Sequence, residues 1–262
     1  MKANRVKQLL KQGKPSIGTW VTIGHPEITE ILSGFGFDWI LFDTEHAPLD
    51  IETVQAMMQA MSASETLPLV RLARNDPVLI NKALDIGGAG VVIPLVNSRE
   101  DALNAVRACR YPPEGSRGVG PRRVVHYGAD KEFYEYFKKA NSEILVIPML
   151  ETKTAIDHAD EILSVDGVDG FFIGPTDLST SLGIMGQWND PKLEAAIQKA
   201  LQAGKRAKVA PGIVGLGLED AKKRLSQGFQ FVSVGSDLSF LCEGAQASIE
   251  QMRAYLTKTD RR

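Results

Sequence analysis

The chain is short of cysteine and of long apolar runs, and each shortage removes a class of protein. Its two cysteines, Cys109 and Cys242, stand far apart in 262 residues. They can form neither a disulfide framework nor a cysteine-rich metal site, and a reducing cytoplasm fits such usage. No apolar stretch approaches the roughly 20 residues of a membrane span, and the basic start MKANRVKQLLKQGK lacks the apolar core of a secretory signal. Neither sign of charge dominates: 30 Lys and Arg face 32 Asp and Glu, a formal net charge of −2. No basic field therefore draws the chain to nucleic acid or to an anionic membrane surface. Linkers, low-complexity tracts and solenoid repeats are missing, and no strand enters a G-x-G-x-x-G turn, since GLGLED at 215–220 matches only G-x-G.

What remains is a rhythm. Short apolar or β-branched runs recur at SIGTWV (16–21), DWILFD (38–43), LPLVRL (67–72), GVVIPL (90–95), ILVIPML (144–150), GFFIGP (170–175), VAPGIVG (209–215) and FVSVGSD (231–237). Between them lie amphipathic stretches such as DIETVQAMMQAMSA, SREDALNAVRAC, TKTAIDHADEILS and DPKLEAAIQKALQAGKRA, several opening on Asp, Ser or Thr and stopping at Gly. Near-continuous apolar strands alternating with helices imply a parallel sheet buried on both faces. Eight units in one chain of this length predict a (β/α)₈ TIM barrel forming a single domain over 1–262. An open doubly wound sheet is the alternative. The only long irregular segment, YPPEGSRGVGPRRVVHYG (111–128), reads as a functional loop.

In a barrel the C-terminal strand ends build the site. Those ends carry Asp43, Glu45 and His46 after strand two, Arg71 after strand three, Glu151 after strand five and Asp177 in GPTD after strand six. Each has an ordinary reading: Asp177 as a helix cap, His46 as a structural histidine, Arg71 as an ion-pair partner. Glu151 is harder to place that way, because an unpaired carboxylate at the rim of an apolar interior is costly. Two carboxylates plus waters suit Mg²⁺ or Mn²⁺, whereas zinc prefers His and Cys ligands. A cation held by Glu151 and Asp177 would acidify the carbon beside the ketone of a 2-oxo acid. His46 would move the proton, Arg71 would stabilise the enolate, and backbone N–H groups at the turn GPTDLS would suit the substrate carboxylate, which makes Gly174, Pro175, Thr176 and Asp177 substrate-binding candidates.

The segments FDWILFDTEHAP, PLVR, ALDIGGAGVVIPLV, RYPPEGSRGVG, LETKTAI, VDGVDGFFIGPTDLS and APGI, in that order, resemble the metal-dependent class II 2-oxo acid aldolases. That family includes 4-hydroxy-2-oxoheptanedioate aldolase and 2-dehydro-3-deoxyglucarate aldolase, with macrophomate synthase as a relative. The resemblance implies a barrel of the phosphoenolpyruvate/pyruvate-binding type that reversibly cleaves 4-hydroxy-2-oxo acids to pyruvate and an aldehyde. By the same resemblance His46 is the base, Arg71 the transition-state arginine, and Glu151 and Asp177 hold Mg²⁺ or Mn²⁺, with Co²⁺ or Zn²⁺ as other options. Asp85 matches an acidic residue that reaches the histidine from a neighbouring subunit, and Thr176 a position whose amide binds the pyruvyl carboxylate. A homohexamer with exchanged C-terminal helices is implied, with FLCEGAQASIEQMRAYL (240–256) as that helix.

One position departs from the pattern. Met149 stands where the family carries a substrate-contacting Gln, and a thioether cannot replace an amide's donor and acceptor. Arg122 and Arg123 either bind a distal carboxylate of an acidic aldehyde or are solvated loop residues. Competing expectations are an oxaloacetate decarboxylase, a citrate-lyase-like thioester lyase, a sugar-phosphate isomerase or epimerase with phosphate at GIVGLG and VGSDLS, and a non-catalytic scaffold.

Overall fold

A computed structural model of the chain describes residues 3–129 and 133–259; the outermost ends of the expected 1–262 domain lie outside them. In chain order the elements are α1 (Arg5–Lys11), β1 (Ser16–Val21), α2 (Pro26–Ser33), β2 (Trp39–Asp43), α3 (Ile51–Ala60), β3 (Leu67–Arg71), α4 (Pro77–Asp85), β4 (Gly90–Ile93) and α5 (Arg99–Cys109). A short 3₁₀ segment (Arg123–Gly128) follows, then α6 (Phe133–Glu143), β5 (Leu145–Pro148), α7 (Lys153–Asp157), α8 (Ala159–Leu163) and β6 (Gly170–Ile173). The chain continues through α9 (Pro175–Ser181), α10 (Pro191–Ala207), β7 (Ala210–Val214), α11 (Leu218–Gln227), β8 (Phe231–Ser236) and α12 (Asp237–Thr259).

The eight apolar runs are the eight strands. They form one parallel sheet in the order β5-β4-β3-β2-β1-β8-β7-β6. The two ends of that order meet: Asp169 N–H donates to Val146 O at 3.1 Å and Leu150 N–H to Phe172 O at 2.8 Å, and Met149 bridges Phe172. This seam bends the sheet into a nearly closed barrel and excludes the open doubly wound alternative. Side chains alternate across each strand, so the apolar residues divide into two layers. One packs under the helices. The other fills the barrel with Trp20, Trp39, Leu41, Leu69, Ile147, Met149, Phe172 and Phe231.

The interior is crowded with rings. Trp39 lies 4.4 Å from Phe231 between centroids, and Phe172 sets its edge against Trp39 at 6.0 Å and against Phe231 at 5.0 Å. Gly18 leaves room for this packing, because a Cβ there would stand 2.0 Å from Trp39 Cδ2. The bottom is closed by α1, whose Val6 and Leu10 join the interior cluster. Lys7 reaches Asp169 at 2.9 Å and Ile144 O at 2.9 Å. The hydrophobic pattern did not mark α1, since it has only two apolar residues facing inward; α6 was likewise not anticipated. TKTAIDHADEILS, read as one helix, turns at His158 into α7 and α8.

Expected caps are in place: Asp50, Asp76, Ser98, Thr152 and Asp190 accept from first-turn N–H groups. The exception to ordinary packing is α12. Its residues 241–258 are all exposed, with Leu241 62% and Met252 57% accessible. A helix of that length with apolar side chains in water projects from the barrel without a layer beneath it.

Adding one methyl at Gly18 should disturb the ring cluster by overpacking. Gly18→Ala is expected to lower stability by about 1–3 kcal/mol in denaturant unfolding; an unchanged midpoint would show that Trp39 has room to move.

Candidate active site

The mouth is organised from β2 and β3, which run in register with Asp43 opposite Arg71. Arg71 Nε donates to Asp43 Oδ1 at 2.9 Å and Nη2 to Oδ2 at 2.6 Å, a two-pronged pair with both residues buried. Asp43 Oδ1 also accepts from the N–H groups of Glu45 (3.0 Å) and His46 (3.2 Å). Thr44 ties the same turn to Arg71 O through its N–H (3.0 Å) and hydroxyl (2.6 Å). One carboxylate thus orients the arginine and shapes the turn that presents His46. Burial alone would push the Asp43 carboxyl up, but the Arg71 hydrogen bonds and charge, with the two N–H groups, hold it below its ordinary 3.8.

Arg71 has further neighbours. Its guanidinium carbon lies 4.5 Å from the Trp20 ring centre, a cation–π contact that fixes the plane of the group. Glu45 Oε2 stands 3.1 Å from Nη1 as an ion pair without an aligned hydrogen bond. Burial pushes the Glu45 carboxyl up; Arg71 and His46 oppose this, and the negative charges of Asp43 and Asp177 add to it.

On the opposite wall, Glu151 is 3% exposed and its Oε1 accepts from Leu95 N–H at 2.7 Å. Leu95 directs that N–H from a left-handed backbone conformation, φ 53°, the kind of local strain found where a group must be aimed. Burial pushes the Glu151 carboxyl up to about 7, and the charges of Glu45 and Asp177 push the same way against Leu95 N–H and Arg71. Asp177 is the third residue of α9, after Gly174 as cap, and no side chain caps this helix. The helix-cap reading of Asp177 is therefore set aside.

Gly174 stands between the two carboxylates. A Cβ on it would lie 3.3 Å from Glu151 Oε2, 3.3 Å from Met149 Cε and 3.4 Å from Asp177 Oδ2. Two carboxylate oxygens border one gap that only glycine leaves open, and the charge of Glu45 adds to theirs. Such hard, anionic oxygen donors fit a divalent cation completed by water, as Mg²⁺ or Mn²⁺ prefers. Among the described residues no group of three or more His, Cys, Asp or Glu is arranged to hold a metal.

A cavity of about 260 Å³ opens on this group, lined by Trp20, His46, Arg71, Met149, Gly174, Pro175, Thr176, Asp177 and Val214. Its size suits a ligand of a few heavy atoms. His46 is exposed at its edge, and its imidazole has no hydrogen-bond partner among the described residues. Trp20 and Val214 were not singled out from the sequence. Both sit in apolar strands, where no local signal separates a cavity wall from core.

Three anticipated residues are not brought to this cavity. Asp85 ends α4 and pairs with Arg117 at 2.7 Å. Arg123 spends its guanidinium on the carbonyls of Ile86 (2.8 Å) and Met58 (3.2 Å), at the ends of α4 and α3. Arg122 is exposed. A larger cleft of about 730 Å³ beside the loops after β7 and β8 shares Trp20 and Val214 with this cavity and is also lined by Phe37, Trp188, Leu216, Phe240 and Glu243, with no Lys or Arg. Its one charged side chain is Glu243, so a phosphate there would meet only backbone N–H groups.

Comparison with known proteins identifies the family and the fold. Residues 16–243 match the family model described as HpcH/HpaI aldolase/citrate lyase. The chain is 42% identical over 256 residues to the 4-hydroxy-2-oxo-heptane-1,7-dioate aldolase of Klebsiella pneumoniae subsp. pneumoniae, covering 98% of this chain and 96% of that protein. It superposes with a TM-score of 0.92 on an HpcH/HpaI aldolase/citrate lyase family protein from Burkholderia cenocepacia J2315, at 33% identity over 96% of this chain and 100% of that one. A more distant likeness in fold, at a TM-score of 0.59 and 15% identity over 86% and 93% of the two chains, is the M. tuberculosis citrate lyase β subunit complexed with oxaloacetate and magnesium.

Replacing Asp43 by Asn leaves buried Arg71 with only the Glu45 ion pair, so Asp43→Asn is expected to cost about 3 kcal/mol, the low end for a broken buried pair. Because the Asp43 carboxyl titrates below 3.8 in the folded chain, this contribution is complete above that pH and lost as pH falls through the lower value. Unfolding of both proteins from pH 7 downward checks this, and a gap that does not narrow in acid would contradict it.

Proposed function

Because the chain belongs to the HpcH/HpaI aldolase/citrate lyase family, we propose that it is a divalent-metal-dependent carbon–carbon lyase that reversibly cleaves 4-hydroxy-2-oxo acids to pyruvate and an aldehyde. The observation that carries the reading is the approach of Glu151 Oε2 and Asp177 Oδ2 to one gap at Gly174, in a cavity shared with Arg71 and His46. Glu151 and Asp177 would hold the cation, Mg²⁺ or Mn²⁺ by donor chemistry. When bound, the cation draws electron density from the ketone and acidifies the adjacent carbon.

This chain's own residues supply the rest. In cleavage, His46 takes the proton of the C4 hydroxyl, and the C3–C4 bond breaks to release the aldehyde. The electron pair moves into the enolate of pyruvate, and a proton returned to C3 completes the methyl group. The Arg71 guanidinium, held by Asp43 and Trp20, stands where negative charge develops on the enolate oxygen. The exposed N–H end of α9 at Thr176 receives the substrate carboxylate. Met149 offers the cavity an apolar wall, so the 2-oxo acid is oriented by Arg71 and Thr176 rather than by a side-chain amide.

One chain does not complete this site. Asp85 would act on His46 of a neighbour, raising its basicity, and α12 would be covered by exchange between neighbours in a hexamer. The exposed apolar face of α12 and the unpartnered His46 imidazole support this reading. If the site is shared, His46→Ala and Asp85→Asn proteins are each nearly inactive, yet mixing them under dissociating conditions and reassembling restores cleavage in the sites that carry both native residues. Reassembled mixtures no more active than their components would place Asp85 outside the site.

Position also bears on the aldehyde. A Cβ at Gly120 would lie 3.5 Å from Asp85 Oδ2, so the segment leading to Arg122 travels with Asp85. Arg122 would therefore face the same neighbouring mouth, where its fork would pair with the distal carboxylate of an acidic aldehyde. Pyruvate release from 4-hydroxy-2-oxoheptanedioate tests the activity, and oxaloacetate and citryl thioesters test the decarboxylase and citrate-lyase-like alternatives on the same preparation. Arg122→Ala is expected to slow condensation with succinic semialdehyde while leaving neutral aldehydes unaffected. Equal rates for both classes would assign the acceptor to another residue.

A further inference from the structure

We infer that Arg117 is a positioning residue for proton transfer, acting through Asp85; this rests on the reading of Asp85 as the partner of a neighbour's His46. Arg117 is unusual in its surroundings. Its side chain is 0% exposed, and Nη2 donates to Asp85 Oδ1 at 2.7 Å; Nε and Nη1 have no well-aligned acceptor among the described residues, although the Tyr136 hydroxyl also faces the guanidinium. Its guanidinium carbon lies 4.5 Å from the centre of the Tyr111 ring, which is itself held edge-on by Phe137 at 4.9 Å. The backbone is anchored as firmly. Arg117 N–H donates to Arg110 O at 2.9 Å and Ser116 N–H to Arg107 O at 2.8 Å, which fasten the loop to the end of α5.

Stability does not explain this arrangement. A buried guanidinium whose donors are matched only by Asp85 and the nearby Tyr136 hydroxyl is costly, and an apolar side chain of similar volume would commonly serve the fold as well or better. What the arginine does accomplish is to hold one carboxylate in one orientation. Asp85 is the last residue of α4, where the negative end of the helix dipole and the unpaired carbonyls disfavour an anion. The Arg117 charge offsets that, and the single bond to Oδ1 fixes the rotation of the carboxyl group. Oδ2 has no partner among the described residues, and it lies beside Gly120, whose missing side chain leaves the position next to it unfilled. Asp85 is thus held from behind and presented forward, as a carboxylate must be if it is to meet an imidazole on another subunit.

The test uses the full-length assembled protein loaded with Mn²⁺ and follows exchange of pyruvate's methyl protons with D₂O by NMR. The set is native, Arg117→Met, Arg117→Lys, Asp85→Asn and the Arg117→Met/Asp85→Asn double variant. Arg117→Met is expected to lower the kcat of exchange by roughly 10–100-fold, the usual loss when a supporting hydrogen bond is removed from a site, with the KM for pyruvate and the melting temperature little changed. Arg117→Lys should recover part of that loss. The double variant should be no slower than Asp85→Asn alone, because both changes remove one device. Should Arg117→Met not fold, Arg117→Gln enters the same comparison. Multiplying losses in the double variant, or a loss confined to KM or melting temperature, would make Arg117 a residue of the fold only. Native exchange rates in Asp85→Asn would instead reject the Asp85 reading and the inference with it, and no exchange in the native protein would reject the aldolase itself.

Discussion

Three carboxylates, Glu45, Glu151 and Asp177, influence one another across a small mouth, and Arg71 there is divided between Glu45 and a fourth, Asp43, which takes two of its hydrogen bonds. That imbalance of charge governs the site. Burial pushes Glu151 up to about 7, so in the absence of a cation it tends to hold a proton near neutrality. In the proposed reading a cation would stand near Gly174, between Glu151 and Asp177. The fold supplies rigid walls for this repulsion: β5 and β6 meet at the barrel seam, and their ends carry the two groups that would otherwise move apart.

The second constraint is that the chain looks unfinished by itself. His46 is presented on a turn shaped by Asp43 but has no orienting partner among the described residues. Asp85 has a buried arginine behind it and no base in front of it. Helix α12 carries apolar side chains into water. Each of these is costly or idle in an isolated chain, and each would be resolved by a neighbouring copy. Catalysis and assembly would then depend on the same contacts, with the loop from Arg110 to Arg123 serving both.

Much of this was legible in the sequence because it depends on short-range physics. Strands buried on both faces read as unbroken apolar runs, and all eight were found in SIGTWV, DWILFD and their successors. Polar residues that directly follow such runs must lie at the rim, which singled out Asp43, Glu45, His46, Arg71, Glu151 and Asp177 without knowledge of any contact. Other features had no local signal. Trp20 lines the cavity because β1 lies beside β2 and β8, and its stacking on Arg71 joins distant parts of the chain. Asp85 looked like a solvated helix end and emerged only through family resemblance. Arg117 was invisible for a related reason: nothing in GSRGVG tells that its arginine is the one turned inward. Arg123 was open between a ligand-binding and a solvated reading, and it is neither: carbonyls at the ends of two helices claim it.

The most direct test of the central claim, that Glu151 and Asp177 hold the cation that makes pyruvate's methyl group acidic, needs no aldehyde. Metal-stripped protein is given Mg²⁺, Mn²⁺, Co²⁺ or Zn²⁺ in turn, and loss of the pyruvate methyl proton signal in D₂O is compared between native and Glu151→Ala chains. The account predicts exchange only in the native protein and only with a divalent cation, fastest with one that favours oxygen ligands. Exchange that proceeds without metal, or survives undiminished in Glu151→Ala, would contradict it.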